Sequence, residues 1–135
     1  MKKNNITAVV INYVSLLLML VIFYVVKILD CNKIFLLLEI VPLIAMIISF
    51  NFAFNKSGLW KLIHKSQKKL DERELQIVYK AVKYSYTMFV IISLVLIYIF
   101  AVAEGRPIDV LLAASLIYLA HTLPATVIAF SGEEI

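Results

Sequence analysis

Four apolar runs, each about 20 residues long, constrain this chain more than any other feature, because 20 residues at 1.5 Å rise span the roughly 30 Å hydrocarbon core of a bilayer. They cover about Ile6–Ile28, Ile34–Phe54, Tyr84–Ala103 and Val110–Phe130. Inside a bilayer no water satisfies backbone N–H and C=O groups, so runs of this length must be helices that close their own hydrogen bonds. Membrane strands would be about half as long and would alternate in polarity. These runs are apolar on all sides. Hydrophobic residues make up 63 % of the 135 residues and charged residues 16 %. A soluble domain this small has too much surface for its volume to hide so much apolar area. The expected class is therefore all-α, an integral membrane four-helix bundle forming a single membrane domain over residues 1–135.

The connections define the hairpins. Leu29–Lys33 and Glu104–Asp109 are short, the second carrying Gly105 and Pro107 as turn residues, so each joins antiparallel neighbours. The long polar link 55–83 ties the two hairpins together. Lys2 and Lys3 precede the first run, which is too long for a signal-peptide core and has no small-residue cleavage site after it, so it is expected to be retained. Cys31 is the only cysteine, which excludes an internal disulfide and thiol redox pairs.

Lysine and arginine set the expected orientation. Lys2, Lys3, Lys56, Lys61, Lys65, Lys68, Lys69, Arg73, Lys80 and Lys83 lie on one side, and Lys27, Lys33 and Arg106 on the other. The positive-inside rule places both termini and the link in the cytoplasm (N-in/C-in), with Tyr79, Tyr84 and Tyr86 forming an aromatic belt at the inner mouth of the third span. Acidic Glu133 and Glu134 at the tail weigh little in that rule.

Within the link, Leu59, Trp60, Leu62, Ile63 and Leu70 share one face of a helical projection, and Lys61, His64, Lys65, Lys68 and Lys69 share the other. The spacing predicts a cytoplasmic basic amphipathic helix from Leu59 to Leu70, lying on anionic headgroups at the inner leaflet. Trp60, Lys61, Lys65, Lys68 and Lys69 are its candidate lipid or partner surface. Asp71, with Glu74 three residues on, forms a capping-box pattern that starts a helix running unbroken from Glu72 to about Ala103.

Leu70-Asp71-Glu72-Arg73-Glu74, followed by Ile77, Lys80-Ala81 and Tyr84-Ser85-Tyr86, resembles a D-E-R-E-x-x-I-x-x-K-A pattern. That pattern stands before a transmembrane helix in small prokaryotic four-span membrane proteins of unknown function. The resemblance implies the same topology and a prokaryotic membrane, and brings no activity with it.

Polar residues inside the runs are the candidate intramembrane site: Glu39, His121, Asn12 and Asn51. An ionisable side chain near the bilayer centre costs on the order of 2.5–3.5 kcal/mol, so each needs a structural or functional reason. Glu39-x-x-Pro42 and His121-x-x-Pro124 look alike, and each proline removes one ladder hydrogen bond. Pro42, Met46, Ser49 and Ala53 fall on the side of Glu39; Ala8, Asn12, Ser15 and Met19 share a face of the first run; Ser115, Thr122, Thr126 and Ala129 form a stripe beside His121. Such small and polar stripes are expected to face neighbouring helices. Expected depths of Glu39 and His121 differ by roughly 10 Å, which separates them as a direct pair.

Two histidines, one in the link and one in a span, make no metal site, and no cofactor is implied. Three glycines provide no phosphate loop. No Ser-His-Asp set falls at one depth. Small multidrug exporters carry a key glutamate in their first span, and this first span has none. Basic charge tied to a membrane surface, without a DNA-binding motif, argues against nucleic acid. The leading expectation is a non-enzymatic inner-membrane protein in a regulatory, immunity-like or accessory role, with a protein partner or further copies of itself. The alternative is a small oligomeric transporter or proton-linked carrier using Glu39 and His121; a membrane enzyme acting on lipid comes third.

The orientation has a direct check. A membrane-impermeant thiol reagent should label Cys31 on intact cells. Labelling that appears only after permeabilisation would invert the topology or bury the thiol.

Overall fold

In the computed structural model the described residues are 3–30, 32–103, 105 and 107–132. Lys2, Cys31, Glu104, Arg106, Glu133 and Glu134, which enter the orientation argument above, lie outside them, as does the side chain of Lys3. The described residues are helical with no strand, and they include four helices long and apolar enough to cross a membrane. The chain divides into two compact units, residues 1–58 and 59–135, each built around one hairpin.

The first unit opens with α1, Lys3–Ile28. It contains no proline or glycine, so nothing interrupts its ladder. It ends where Asp30 takes a left-handed conformation, φ 48°, which a short polar side chain tolerates. Asn32 restarts the chain by accepting the Ile34 N–H on its side-chain oxygen at 3.1 Å. The second span is one continuous rod of three helical types. A 3-10 segment, Lys33–Glu39, leads into α2, Ile40–Phe50, and α2 into a π turn, Asn51–Asn55. In the π turn the Lys56 N–H reaches back five residues to the Asn51 carbonyl at 2.8 Å. All three parts pack along α1. Val9, Asn12, Ser15, Leu16 and Val26 of α1 are buried, as are Pro42, Ser49, Ala53 and Phe54 of the second span. The small side chains among them, Ser15, Ser49 and Ala53, let the two backbones approach. Gly58, φ 80°, closes the unit at a position where a Cβ would be strained.

The second unit contains α3, Leu59–Ile63; α4, Glu72–Ile97, which runs on as a π turn, Tyr98–Ala103; and α5, Val110–Ser131. Helix α4 pairs with α5, and α3 packs on both. Ile77, Ala81 and Ser85 of α4 are buried, together with Leu112, Ser115, Thr122, Leu123, Ala125, Ile128 and Ala129 of α5. Asp109 caps α5 by accepting the Leu112 N–H at 3.1 Å, and Gly132, φ 69°, ends it. Ile77, Ala81 and Ser85 are the buried residues of α4, and most of the other side chains of the third span are half-buried or exposed.

One expectation needs correction. The amphipathic helix predicted over Leu59–Leu70 exists only as the single turn α3, followed by a separate 3-10 turn, Gln67–Lys69. Two local demands break it. Ser66 is extended, φ −57° and ψ 137°, and Leu70 is extended so that Asp71 can act as N-cap. A continuous helix would also stack Lys61, Lys65, Lys68 and Lys69 at like-charged three- and four-residue spacings. The fold relieves this by turning Lys65 onto Glu74 of α4, Nζ to Oε2 at 2.8 Å. Leu59 and Leu62 still bury their side chains, and Trp60 and Ile63 do so in part.

The start of α4 is a complete capping box. The Asp71 carboxylate accepts the Glu74 N–H at 2.6 Å, and Glu74 Oε2 accepts the Asp71 N–H at 3.3 Å. Glu74 thus serves the cap and the Lys65 pair with one oxygen. Asp71→Ala should cost about 1 kcal/mol of local helix stability. Faster amide exchange at residues 72–75, restored by Asp71→Asn, is the expected reading; unchanged exchange would show that the cap is dispensable.

Candidate functional site

The polar residues of the first unit fall into two separate places. Asn12 is fully buried and reaches across the hairpin. Its Nδ2 donates to the Met46 carbonyl at 2.9 Å and to Ser49 Oγ at 3.2 Å. Ser49 Oγ donates in turn to the same Met46 carbonyl at 3.0 Å. One amide therefore bridges two helices through a carbonyl that also receives a hydroxyl. In hydrocarbon the alternative is an unsatisfied amide, so this contact sets the register of α1 against α2. The sequence stripes placed Asn12 and Ser49 on facing sides; the bond between them carries no sequence signal of its own.

Glu39 stands elsewhere, at the junction of the 3-10 segment and α2. It occupies the N-cap position of α2 but makes no side-chain capping bond. Its Oε1 is buried and has no hydrogen-bond partner among the described residues. Seven residues separate it from Met46, roughly 10 Å along a helix, so Glu39 and Asn12 do not form one site. Asn51 is exposed and accepts from Asn55 Nδ2 at 3.1 Å across the π turn.

His121 in the second unit is exposed. Its Nδ1 lies 3.0 Å from the Ile117 carbonyl, one turn back on its own helix. In a neutral ring that contact requires the hydrogen on Nδ1 and leaves Nε2 as an acceptor. The stripe beside it is packed, with Ser115, Thr122 and Ala129 buried; of the two alanines that flank His121 on its own face, Ala114 is exposed and Ala125 is fully buried. Ser115 and Thr122 donate to the carbonyls of Leu111 and Tyr118, and on α4 Ser85 donates to that of Ala81. These hydroxyls satisfy themselves within their own helices and leave the packed faces smooth.

Glu39-x-x-Pro42 and His121-x-x-Pro124 sit in different settings: Pro42 follows the junction of the 3-10 segment and α2, and Pro124 lies well inside α5.

The link presents the remaining candidates. Trp60 is half-buried, and its ring lies against His64 with centroids 4.2 Å apart. Lys65 is held by Glu74, and Lys61, Lys68 and Lys69 are exposed. No helical spacing rule connects residues nine apart, so the Lys65–Glu74 pair was invisible before the break at Ser66 was known. Asp109 was legible in principle, as an acid directly before an apolar run. Among the described residues no three His, Cys, Asp or Glu side chains stand close enough together to hold a metal ion.

Four long apolar helices with polar contacts kept inside the hairpins define a multi-pass membrane protein. Comparison extends no further than that class: no protein-family model, curated protein or solved structure matches the chain.

The Asn12 bridge can be measured. Asn12→Leu should lower stability in detergent by about 1–2 kcal/mol, and Ser49→Ala by less. Unfolding titrations of the purified chain would read both. A neutral Asn12→Leu would mean that the apolar packing of α1 on α2 sets the register without the amide.

Proposed function

We propose that this chain is a non-enzymatic, multi-pass protein of a prokaryotic cytoplasmic membrane, acting as a regulatory, immunity-like or accessory subunit that binds a protein partner. Both termini and the link lie in the cytoplasm. The resemblance of residues 70–86 to small prokaryotic four-span proteins agrees with this reading.

The observation that carries it is where free polar chemistry remains. Inside the first hairpin Asn12 is consumed by helix pairing. The exposed charges Lys61, Lys68, Lys69 and Arg73 cluster instead on a short link that the capping box and the Lys65–Glu74 pair hold in one shape. A charged elbow beside a membrane suits recognition. The partner surface centres on α3, where Lys61 projects from a helix anchored by buried Leu59 and Leu62.

A second reading has one observation in its favour. The unpartnered Oε1 of Glu39 would suit a proton or cation carrier, with oligomerisation providing the pathway that four helices lack.

Two measurements test these readings. Purification of the tagged chain in mild detergent should bring down one stoichiometric protein, and Lys61→Glu should release it while membrane insertion is unchanged. A chain that purifies alone in every condition overturns the partner reading. Proteoliposomes with an internal pH dye should show equal background traces for wild type and Glu39→Gln; proton flux lost in the variant would establish the carrier instead.

A further inference from the structure

The first unit carries an open groove of about 420 Å³ along its hairpin. Thr7, Ala8 and Ile11 of α1 form one wall, and Ala45, Ile48 and Phe52 of the second span form the other. Ser49 also lines it, but its hydroxyl is already bonded to the Met46 carbonyl and to Asn12. The lining is thus largely apolar. All of these residues belong to the first two apolar runs, so the groove lies at hydrocarbon depth. From Ala45 to Phe52 it extends roughly 10 Å along the helix axis, about a third of the bilayer core.

One end of the groove carries a cation held by the wall itself. Lys56 Nζ stands 4.1 Å from the centroid of the Phe52 ring, one turn before it. A cation over a ring face is positioned by the ring without being neutralised. Lys56 is exposed and makes no ion pair among the described residues. It follows the last residue of the second apolar run by two positions, which is where headgroups begin. Residues 1–58 contain two acids, Asp30 and Glu39. Asp30 stands at the hairpin turn and Glu39 in the segment that follows it, both toward the opposite end. The charge of Lys56 is therefore uncompensated within its unit.

An apolar groove inside the bilayer that ends at an uncompensated cation at headgroup height fits an amphipathic anion. A second copy of the chain fits it less well. Copies in one membrane share an orientation, so a neighbour would bring the same lysine-bearing, acid-free end against Lys56. We infer that this groove is a binding site for one anionic phospholipid. The phosphate pairs with Lys56, and the first methylenes of one acyl chain lie along Ala8, Ile11, Ala45 and Ile48. This differs from diffuse attraction of a basic segment to a charged surface, because it gives one lipid per chain and assigns the preference to one lysine. It requires the membrane-spanning class and is independent of any protein partner.

The test uses the full chain in detergent, read by native mass spectrometry with added dioleoyl phosphatidylglycerol or dioleoyl phosphatidylcholine. The second lipid carries the same phosphate beside its own choline cation. Wild type should retain one phosphatidylglycerol per chain with about fivefold preference over phosphatidylcholine. Lys56→Gln should abolish the preference, whereas Lys61→Gln, in the link, and Lys27→Gln, at the other end of the hairpin, should keep it. Ala45→Leu should fill the groove and weaken retention of both lipids. Ile48→Ala, at an exposed position, trims the same wall without crowding the hairpin and should weaken retention to a smaller degree. Inorganic phosphate at millimolar concentration should leave the lipid bound. Equal retention of the two lipids, a preference untouched by Lys56→Gln, or one reduced as much by Lys61→Gln, would each overturn the site. Retention unchanged in both groove variants would overturn it as well, and displacement by inorganic phosphate would do so in favour of a free-anion site. Failure of either lipid to bind would overturn the proposal and leave the groove to a protein. Release of a co-purifying protein by Lys61→Glu with the lipid preference intact would support the site and keep it distinct from the partner reading.

Discussion

A bilayer interior offers no partner to a polar group, and every feature of the two hairpins answers to that. The backbone is satisfied by continuous helices, even where the second span passes through 3-10, α and π geometry in turn. Such a change of helical type keeps each N–H paired while altering the direction in which side chains leave the rod. Ser93 Oγ is buried with no hydrogen-bond partner among the described residues, whereas the hydroxyls of Ser85, Ser115 and Thr122 bond the carbonyl one turn back. Asn12 cannot do this with both amide hydrogens, so it reaches across to Met46 and Ser49, and the pairing of α1 with α2 acquires a defined register.

Outside the membrane the same chain meets water, and the governing interaction changes to charge. The link carries many lysines, which in the positive-inside reading proposed above hold it on one side of the bilayer, and lysines at three- and four-residue spacings repel one another on a helix. The fold resolves the conflict by ending α3 after one turn, extending through Ser66 and pairing Lys65 with Glu74. Glu74 joins the cap of α4 to that ion pair, so the elbow and the start of the third span form one cooperative element. A half-buried pair of this kind contributes about 1 kcal/mol or less, and its value here is geometric: it ties the stretch after α3 to the first turn of α4.

Glu39 and His121 contrast with this economy. Glu39 leaves a buried oxygen unpartnered among the described residues, and His121 is exposed on α5. In the partner-subunit reading they sit where lipid, water or another protein surface completes them. In the carrier reading Glu39 is the working group. The distinction rests on chemistry at one carboxylate rather than on the architecture around it.

Much of the architecture was legible in the order of residues. The four spans follow from hydrophobic runs matched to bilayer thickness, a one-dimensional property that no distant contact can override. The start of α4 follows from Asp71 and Glu74, because a cap is local. The facing stripes of small residues follow from helical periodicity, and Asn12, Ser49, Ser115, Thr122 and Ala129 are indeed buried. What could not be read there depended on groups distant along the chain. The length of α3 was misjudged because periodicity reports which face is apolar, while competition from the Asp71 cap and the Lys65–Glu74 pair decides where a helix stops. The roles of His121 and Glu39 were equally hidden, since a helical wheel ranks polarity around an axis and does not say which side its neighbour occupies. Those outcomes belong to contacts in space, where a single carbonyl such as that of Met46 can outweigh the local pattern.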